Sequence, residues 1–276
     1  MKRLNALLKI LGAAVLFISM GRYTMAEEVN LWNLDEAPVM QDRPITEFEL
    51  LSVQQTMGSG GLRKTVEGRV SLAEPLVFAP PEGVGADSSE TNYAYYIVRI
   101  PFTLHSLSGD RNYDRFELRV KLKDPAVTGF MLIPDQVITK EDIERTYDLT
   151  AGFARAGVNL GGNGSYVVRF TKIAPVVLSF GLSSPEFYWE FKRQDKGPPL
   201  VGSQVTLVIL RVPKSITTVR ADFYAEALIE SRFPWIEKES IFSDHKDLEW
   251  DFAKAEPIGA IPWTRANIDS LSGKLQ

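Results

Sequence analysis

The sequence predicts an all-β protein, an antiparallel β-sandwich with short helical pieces and irregular N- and C-terminal extensions. Seven or more runs alternate apolar with polar residues, which is the period of a half-buried strand. Turn signals rich in Gly, Pro, Asn and Asp separate these runs at short intervals, as a sandwich requires. The long amphipathic helices that a β-α-β plan needs are missing from the pattern.

The clearest strands lie in the last third of the chain. The run 187–192 alternates large rings with charged side chains, and the run 205–212 is apolar on both faces, as a central strand should be. Residues 218–230 alternate over a longer stretch. Together they predict a meander of three neighbouring strands, whose apolar face needs a second layer.

Two earlier runs also alternate cleanly. Residues 96–104 and 116–122 are separated by the turn signal Ser108-Gly109-Asp110, and we expect them to pair as a hairpin with one solvated face. Pro101 donates no backbone hydrogen bond, so it places the first of these strands at a sheet edge or at a bulge.

Three segments are predicted from weaker patterns. Pro44 follows an N-cap candidate, and apolar residues then recur at spacings of three, so residues 43–57 are predicted as a helix, although Phe48 and Leu50 also suit a strand. Residues 139–142 predict one helical turn. Residues 146–164 are rich in Gly and Ala and predict a hairpin with four apolar side chains on one face, namely Tyr147, Leu149, Ala151 and Phe153.

The chain divides into four predicted regions. Residues 1–26 are predicted as a signal peptide, 27–62 as a lead segment, 63–233 as the β-sandwich core and 234–276 as a C-terminal extension. With 276 residues, 45% of them hydrophobic and 24% charged, the chain is long enough to bury a large core as one domain or two.

The N-terminus has the three-part pattern of a secretory signal. Basic residues precede the apolar run 10–20, and Ala26 provides a small residue before two acids. The run is too short to span a bilayer comfortably, although a signal anchor or an amphipathic first helix stays as the alternative. We therefore expect export to the periplasm or the extracellular space.

Charge and cysteine content exclude several classes of function. Cleavage after Ala26 would remove four of the 31 basic residues and no acid, leaving 27 basic against 35 acidic residues and a net charge of −8. We therefore expect no nucleic-acid partner and, after cleavage, no membrane contact. The absence of cysteine excludes disulfides, thiolate nucleophiles and Cys-ligated zinc.

No catalytic residue is predicted. Phosphate-binding glycine loops and nucleophile motifs are absent from the sequence, so we expect no cofactor. One weak metal candidate is His245, which has Asp244 and Asp247 beside it. The same acids, with Asp251, define an alternative in which loop carboxylates serve a hydrolase.

The main interpretation is an exported, non-enzymatic module that binds another protein or a second copy of itself, or takes part in an envelope assembly. Trp235, Trp250 and Trp263, in or beside the C-terminal extension, are the predicted anchors for such a partner. The alternatives are the hydrolase, a glycan-binding protein that uses its many aromatic rings, and a pore-forming β protein. In the last of these, the segment 147–158 would enter a bilayer as part of an oligomer, with Arg155 interrupting its apolar face.

The first prediction concerns export. Because residues 1–26 match a signal peptide, we expect the mature protein in its native host to begin at Glu27. Intact-mass spectrometry of the secreted protein measures this directly. A mature chain that retains residues 1–26 would contradict cleavage.

Overall fold

The structure is a computed structural model. It describes residues 28–33, 44–55, 62–79, 92–109, 111–137, 145–155, 165–170, 176–194, 197–231 and 237–258. These residues are nearly all β-strand, which confirms the predicted all-β class. Across these ranges, no helix is long and apolar enough to cross a membrane. The predicted signal peptide and the predicted helical turn at 139–142 lie outside the described residues.

The strands in chain order are β1 (Glu28–Asn33), β2 (Pro44–Gln55), β3 (Leu62–Ala73), β4 (Leu76–Ala79), β5 (Tyr93–Leu104), β6 (Tyr113–Leu122), β7 (Thr128–Ile133), β8 (Gln136–Val137), β9 (Arg145–Asp148), β10 (Ser165–Phe170), β11 (Val176–Phe180), β12 (Glu186–Lys192), β13 (Gly202–Pro213), β14 (Thr218–Glu230), β15 (Lys238–Phe242), β16 (Lys246–Asp251) and β17 (Glu256–Pro257). One α-helix, α1 (Leu149–Arg155), and one short 3-10 helix, Phe252–Lys254, interrupt them in the described residues.

Most strands belong to one large sheet. A continuous hydrogen-bonded path runs through β17, β4, β5, β3, β2, β15, β14, β6, β12, β11 and β8, with β13 beside β5 and β7, and β16 beside β14. A small second sheet contains β1, β10 and β9 in that order. β17 and β8 are therefore the two terminal strands of this path.

The large sheet curls so that its two halves pack face to face. The ring of Phe102 in β5 lies 5.7 Å from that of Phe116 in β6 and 5.6 Å from that of Phe191 in β12, measured between centroids. Because β5 pairs with neither of these strands, the contacts join two layers across a core. The layers are halves of one curled sheet, which departs from two separate sheets of a simple sandwich.

The predicted central strand is confirmed, but the predicted meander is wrong. β13 lies between β5 and β7, and Leu207 and Leu210 are fully buried. However, β6 separates β12 from β14, and β13 belongs to the opposite layer. Alternation is a local property that identifies a strand without identifying its partner.

The predicted hairpin of β5 and β6 is also wrong. These strands belong to different layers, and the connection between them crosses from one layer to the other. The hydroxyl of Tyr113, at the start of β6, donates to the carbonyl oxygen of His105 at 3.0 Å. Tyr113 is buried, so this bond satisfies a polar group inside the crossing.

Pro101 occupies a break in the sheet within a central strand. β5 pairs with β13 along its whole length, so it is not an edge strand as predicted. On its other side, β3 pairs with residues 102–104 and β4 with residues 97–99. Pro101 therefore lies where one neighbouring strand gives way to the next and no N–H donor is needed.

The predicted regions at both ends contribute strands to the large sheet. The segment predicted as a helix at 43–57 is β2, which pairs with β3 from Pro44 to Gln55. Its alternate residues Phe48, Leu50 and Ser52 are buried, so strand pairing overrides the spacing of three. β15 and β16, inside the predicted C-terminal extension, both pair with β14.

A pair of substitutions tests the facing of the strands. Leu207 is fully buried in β13, so Leu207→Asp would place an unpaired charge in the core, at a cost of several kcal/mol that is comparable with the stability of a whole domain. Lys121 is 57% exposed and lies 3.8 Å from Glu186, so Lys121→Gln should cost less than about 1 kcal/mol. Thermal melting followed by circular dichroism compares them, and equal melting temperatures would contradict the observed facing.

Candidate functional site

The predicted tryptophan anchors are only partly described. Trp250 lies in β16 with 2% of its surface exposed, and its ring meets that of Phe223 edge-on at 5.9 Å. It therefore belongs to the core, and the expectation of an exposed anchor does not hold at this position. Trp235 and Trp263 lie outside the described residues, where their role stays a prediction.

The predicted metal-binding and hydrolytic residues do not converge. His245 Nδ1 lies 2.9 Å from Oδ2 of Asp222, which is not one of its predicted partners, and its ring stacks on Tyr224. Asp247 pairs with Lys123 at 3.3 Å. Among the residues that the structure describes, no group of three His, Cys, Asp or Glu side chains is placed to hold a metal.

Asp251, the third acid of the hydrolase alternative, has a structural contact. Its carboxylate accepts a hydrogen bond from the N–H of Ala253 at 3.0 Å and so caps the 3-10 helix. The hydrogen bond with Lys254 is the main cause that lowers the pKa of Asp251 below its ordinary value. The carboxylate is thus stabilised in its charged form while it caps the 3-10 helix.

Aromatic side chains on the outer face of one layer pack against one another. The rings of Phe180 and Tyr188 stack at 4.7 Å, and the guanidinium of Arg119 lies 4.2 Å from the Tyr188 centroid. Tyr224 lies in β14, which is separated from the strand of Tyr188 by β6, and its ring stacks on His245. These neighbours cover ring faces that a sugar would need, so the geometry gives the glycan-binding alternative little support.

The distinctive feature of the fold is a long segment that leaves and rejoins the end of the large sheet. β8 and β11 are neighbours there, since Val137 pairs with Val177 and Gln136 with Leu178. The 38 residues between these strands, 138–175, are named the edge segment. Its described parts are residues 145–155 and 165–170, and none of its described strands pairs with the large sheet.

The edge segment contains an antiparallel ladder. β9 pairs with β10 in a register that places Tyr147 opposite Val168 and Asp148 opposite Val167. β1 covers the other side of β10 in parallel, with Glu28 opposite Ser165. The ladder therefore depends on its own pairing and on the N-terminal strand.

Helix α1 connects the two strands of this ladder. The carboxylate of Asp148 accepts a hydrogen bond from the N–H of Ala151 at 3.1 Å, which caps the first turn. The hydroxyl of Thr150 accepts one from the N–H of Tyr166 at 2.8 Å, which attaches the helix to β10. Seven residues with Gly152 in the middle make a weak helix by propensity alone.

Packing against the large sheet holds α1 in place. Leu149 and Phe153 are fully buried. A Cβ atom at Gly152 would lie 2.6 Å from Cε of Met131 in β7 and 3.8 Å from Cδ1 of Ile209 in β13. The absence of a side chain at Gly152 therefore allows the helix backbone to lie directly on these two strands.

The predicted Gly-rich hairpin is right at its base and wrong in its middle. β9 and β10 pair as a hairpin requires, but Leu149–Arg155 is helical. Leu149 and Phe153 are four residues apart, a spacing that places two side chains on one face of a strand and also of a helix. The sequence pattern therefore fits both structures, and the burial of Leu149 and Phe153, with Gly152 against Met131 and Ile209, selects the helix here.

Comparison with known proteins gives a distant structural likeness only. No family model matches the chain, and no curated protein sequence matches it. Clostridium perfringens delta-toxin is similar at 11% identity and a TM-score of 0.38, over 76% of this chain and 91% of the toxin. A structure titled "Pore forming protein" is similar at 10% and 0.39, over 74% and 98%. The membrane-inserted form of Clostridium perfringens NetB toxin is similar at 8% and 0.31, over 75% and 97%.

A truncation at Trp250 tests whether this residue is core or anchor. Because its side chain is buried, Trp250→Ala should destabilise the protein by about 3–5 kcal/mol, as measured by denaturant unfolding. Phe242→Ala, at a side chain that is 48% exposed, is the control and should cost less than about 1 kcal/mol. A stable Trp250→Ala protein that has lost a binding partner would instead identify an anchor.

Proposed function

We propose that this chain is an exported protein that self-associates on a membrane and forms a pore, with the edge segment converting into a membrane-spanning β-hairpin. The observation that carries the proposal is the attachment of this segment at the paired strands β8 and β11. It leaves the large sheet and returns to it at one place, so it can detach without breaking a ladder of that sheet.

The pairing of β9 with β10 provides the register for such a hairpin. Continuing the pairs Tyr147 with Val168 and Asp148 with Val167 along the sequence places Phe153 opposite Gly162 and leaves Gly157 and Val158 as a two-residue turn. One face then carries Arg145, Tyr147, Leu149, Ala151, Phe153, Arg155, Leu160, Gly162, Gly164, Tyr166, Val168 and Phe170. The other carries Thr146, Asp148, Thr150, Gly152, Ala154, Ala156, Asn159, Gly161, Asn163, Ser165, Val167 and Arg169.

This division suits a strand pair with lipid on one side and water on the other. In membrane-spanning strands, apolar and polar residues alternate because successive side chains face lipid and lumen in turn. The first face is apolar or glycine apart from Arg145 at its base and Arg155 near its turn, and the second contains the acid, the amides and most of the hydroxyls. The proposal thus explains both the alternation and the small residues.

The lengths of the two arms also fit a bilayer. In this register the arms are residues 145–156 and 159–170, twelve residues each, and a tilted membrane strand needs about 9–11. Arg155 lies on the apolar face but only two residues from the turn. It would reach the far headgroup region, where a long cationic side chain is tolerated.

Two parts must change: the parallel pairing of β1 with β10 must break, and α1, whose own stability is small, must become strand. α1 has seven residues and a central glycine, so packing of Leu149 and Phe153 holds it and propensity does not. In the hairpin these two side chains would face lipid and remain out of water. Conversion therefore exchanges one apolar environment for another.

The proposed function is the pore-forming alternative and not the main interpretation drawn from the sequence. The binding partner is a second copy of the chain and not an unrelated protein, and the protein contacts a membrane, where the sequence predicted no membrane contact. Two of the three acids of the hydrolase alternative have separate structural partners, since Asp247 pairs with Lys123 and Asp251 with Lys254. The proposal rests on the edge segment itself, and the toxin structures carry none of it.

Two alanines of α1 provide a matched test. Ala151 and Ala154 are both exposed on α1, so Ala151→Arg and Ala154→Arg should leave the folded monomer equally stable. In the hairpin, Ala151 faces lipid near the middle of its arm and Ala154 faces the lumen. Ala151→Arg should cost about 2–4 kcal/mol per hairpin in the inserted state and abolish dye release from vesicles, whereas Ala154→Arg should retain it.

The comparison is made at equal protein concentration, with melting temperatures measured by circular dichroism as the check on folding. Equal dye release from the two variants would contradict the assigned faces. Absence of dye release from the unmodified mature protein, across vesicles of neutral and anionic composition, would contradict pore formation itself.

A further inference from the structure

An apolar patch lies on the outer face of the strands β2, β3 and β15. It is named the β2–β3 patch and consists of Leu51, Val53, Leu62, Val66 and Phe242. Leu51 pairs with Val66 on one side and with Phe242 on the other, so these three side chains point the same way. Val53 and Leu62 follow at even spacings along β2 and β3 and share that face.

The patch faces solvent and plays no part in the core. The exposed fractions are 52% for Val53, 69% for Leu62, 40% for Val66 and 48% for Phe242. The opposite face of β2 carries the buried Phe48 and Leu50. Contiguous exposed apolar residues of this kind mark a contact surface with a partner or a membrane.

Positive charge accompanies the patch. Lys64 is exposed, pairs with Val53 and shares the face of the patch, whereas Arg63 is exposed beside it at the strand end, pairs with Gln54 and points from the other face. Neither cation forms an ion pair with any residue in the described ranges. The strand ends that build the patch, residues 51–55 and 62–66, contain no acid. The surface therefore combines apolar side chains with uncompensated cations.

Measured along the strand direction, the patch lies at the same end of the strands as the exit of the edge segment, although β2, β3 and β15 are in the middle of the sheet. The edge segment rejoins the sheet at Val176, which pairs with Lys192 of β12, and Lys192 pairs with Arg115 of β6. The ladder continues from β6 through β14 to β15. β15 then pairs with β2 at Phe242 and Leu51. The exit of the edge segment and the β2–β3 patch thus share one end of the strands.

We propose that the β2–β3 patch docks the protein on a bilayer that carries anionic headgroups, with the apolar side chains entering the interface, Lys64 contacting lipid phosphates and carboxylates, and Arg63 reaching them from the strand end. This inference rests on the proposed function, because docking at this end brings the edge segment to the membrane. Lysine and arginine beside exposed apolar side chains are the features that bind anionic lipid surfaces.

The net charge of the chain does not oppose this docking. The acids beside the patch have basic partners: Glu226, which pairs with Phe242, lies 3.8 Å from Arg115 and from Arg119, and Glu49 pairs with Arg69. Glu249 and Asp251 lie in β16, which pairs with the far end of β14. The thirteen residues of β14 span about 40 Å. Salt screens charge over about 8 Å at physiological ionic strength, so the local cations decide the interaction.

Vesicle sedimentation tests the proposal. We expect the mature protein to bind vesicles of equal parts phosphatidylcholine and phosphatidylserine, to bind phosphatidylcholine alone far less, and to lose binding as salt is raised. The double variant Arg63→Gln with Lys64→Gln should weaken binding roughly tenfold to thirtyfold. Leu62→Ser should also weaken it, whereas Leu182→Ser, at a leucine 58% exposed in the turn at the other end of the sheet, should not.

Melting temperatures of the variants confirm that each is folded. The proposal is overturned if Leu62→Ser and Leu182→Ser bind equally well, or if the protein binds phosphatidylcholine alone as tightly as the anionic mixture. It is also overturned if ultracentrifugation shows a dimer in solution that Val66→Ser disrupts, since the patch is then an interface between copies.

Vesicle binding and dye release test the docking surface and the pore separately. Salt-sensitive binding to anionic vesicles without dye release would support the docking surface and contradict pore formation. Equal dye release from neutral and anionic vesicles, unaffected by the Arg63 and Lys64 variants, would support pore formation and contradict the docking surface.

Discussion

The structure depends on the burial of β13 on both of its faces and along both of its edges. β5 pairs with β13 along its whole length and β7 pairs with residues 207–211, where Leu207, Val208, Ile209 and Leu210 are fully buried. Ile209 approaches α1, so its neighbours Val208 and Leu210 must point to the other side, into the core between the layers. One strand therefore supports the curled sheet and the resting position of the edge segment.

This double role links insertion to self-association under the proposed function. Departure of α1 would uncover the side of β13 that carries Ile209, and exposed apolar surface costs about 25 cal/mol for each Å². A single released chain would bear that cost alone. A neighbouring copy that covers the uncovered strands would remove it, so release is favoured in an assembly and opposed in a monomer.

The sequence was sufficient for the class and for most strand positions, because alternation of apolar and polar residues is a local property. It was insufficient for partners: β12 and β14 look like neighbours in the chain, yet β6 lies between them. It was also insufficient where one spacing satisfies two periods, as for Leu149 and Phe153. Trp250 looked like a tail residue because the pairing of β16 with β14 is set by long-range contacts.

Charge illustrates the same limit in a different property. Net charge is a sum over the chain, and it predicted no contact with an anionic surface. In the structure some of these charges lie far apart: Arg63 and Lys64 are at one end of the strands, and Glu249 and Asp251 are toward the other. Screening makes each end act on its own surroundings. A chain with an acidic total can therefore present a cationic, apolar end to a membrane, and that end is where the edge segment leaves the sheet.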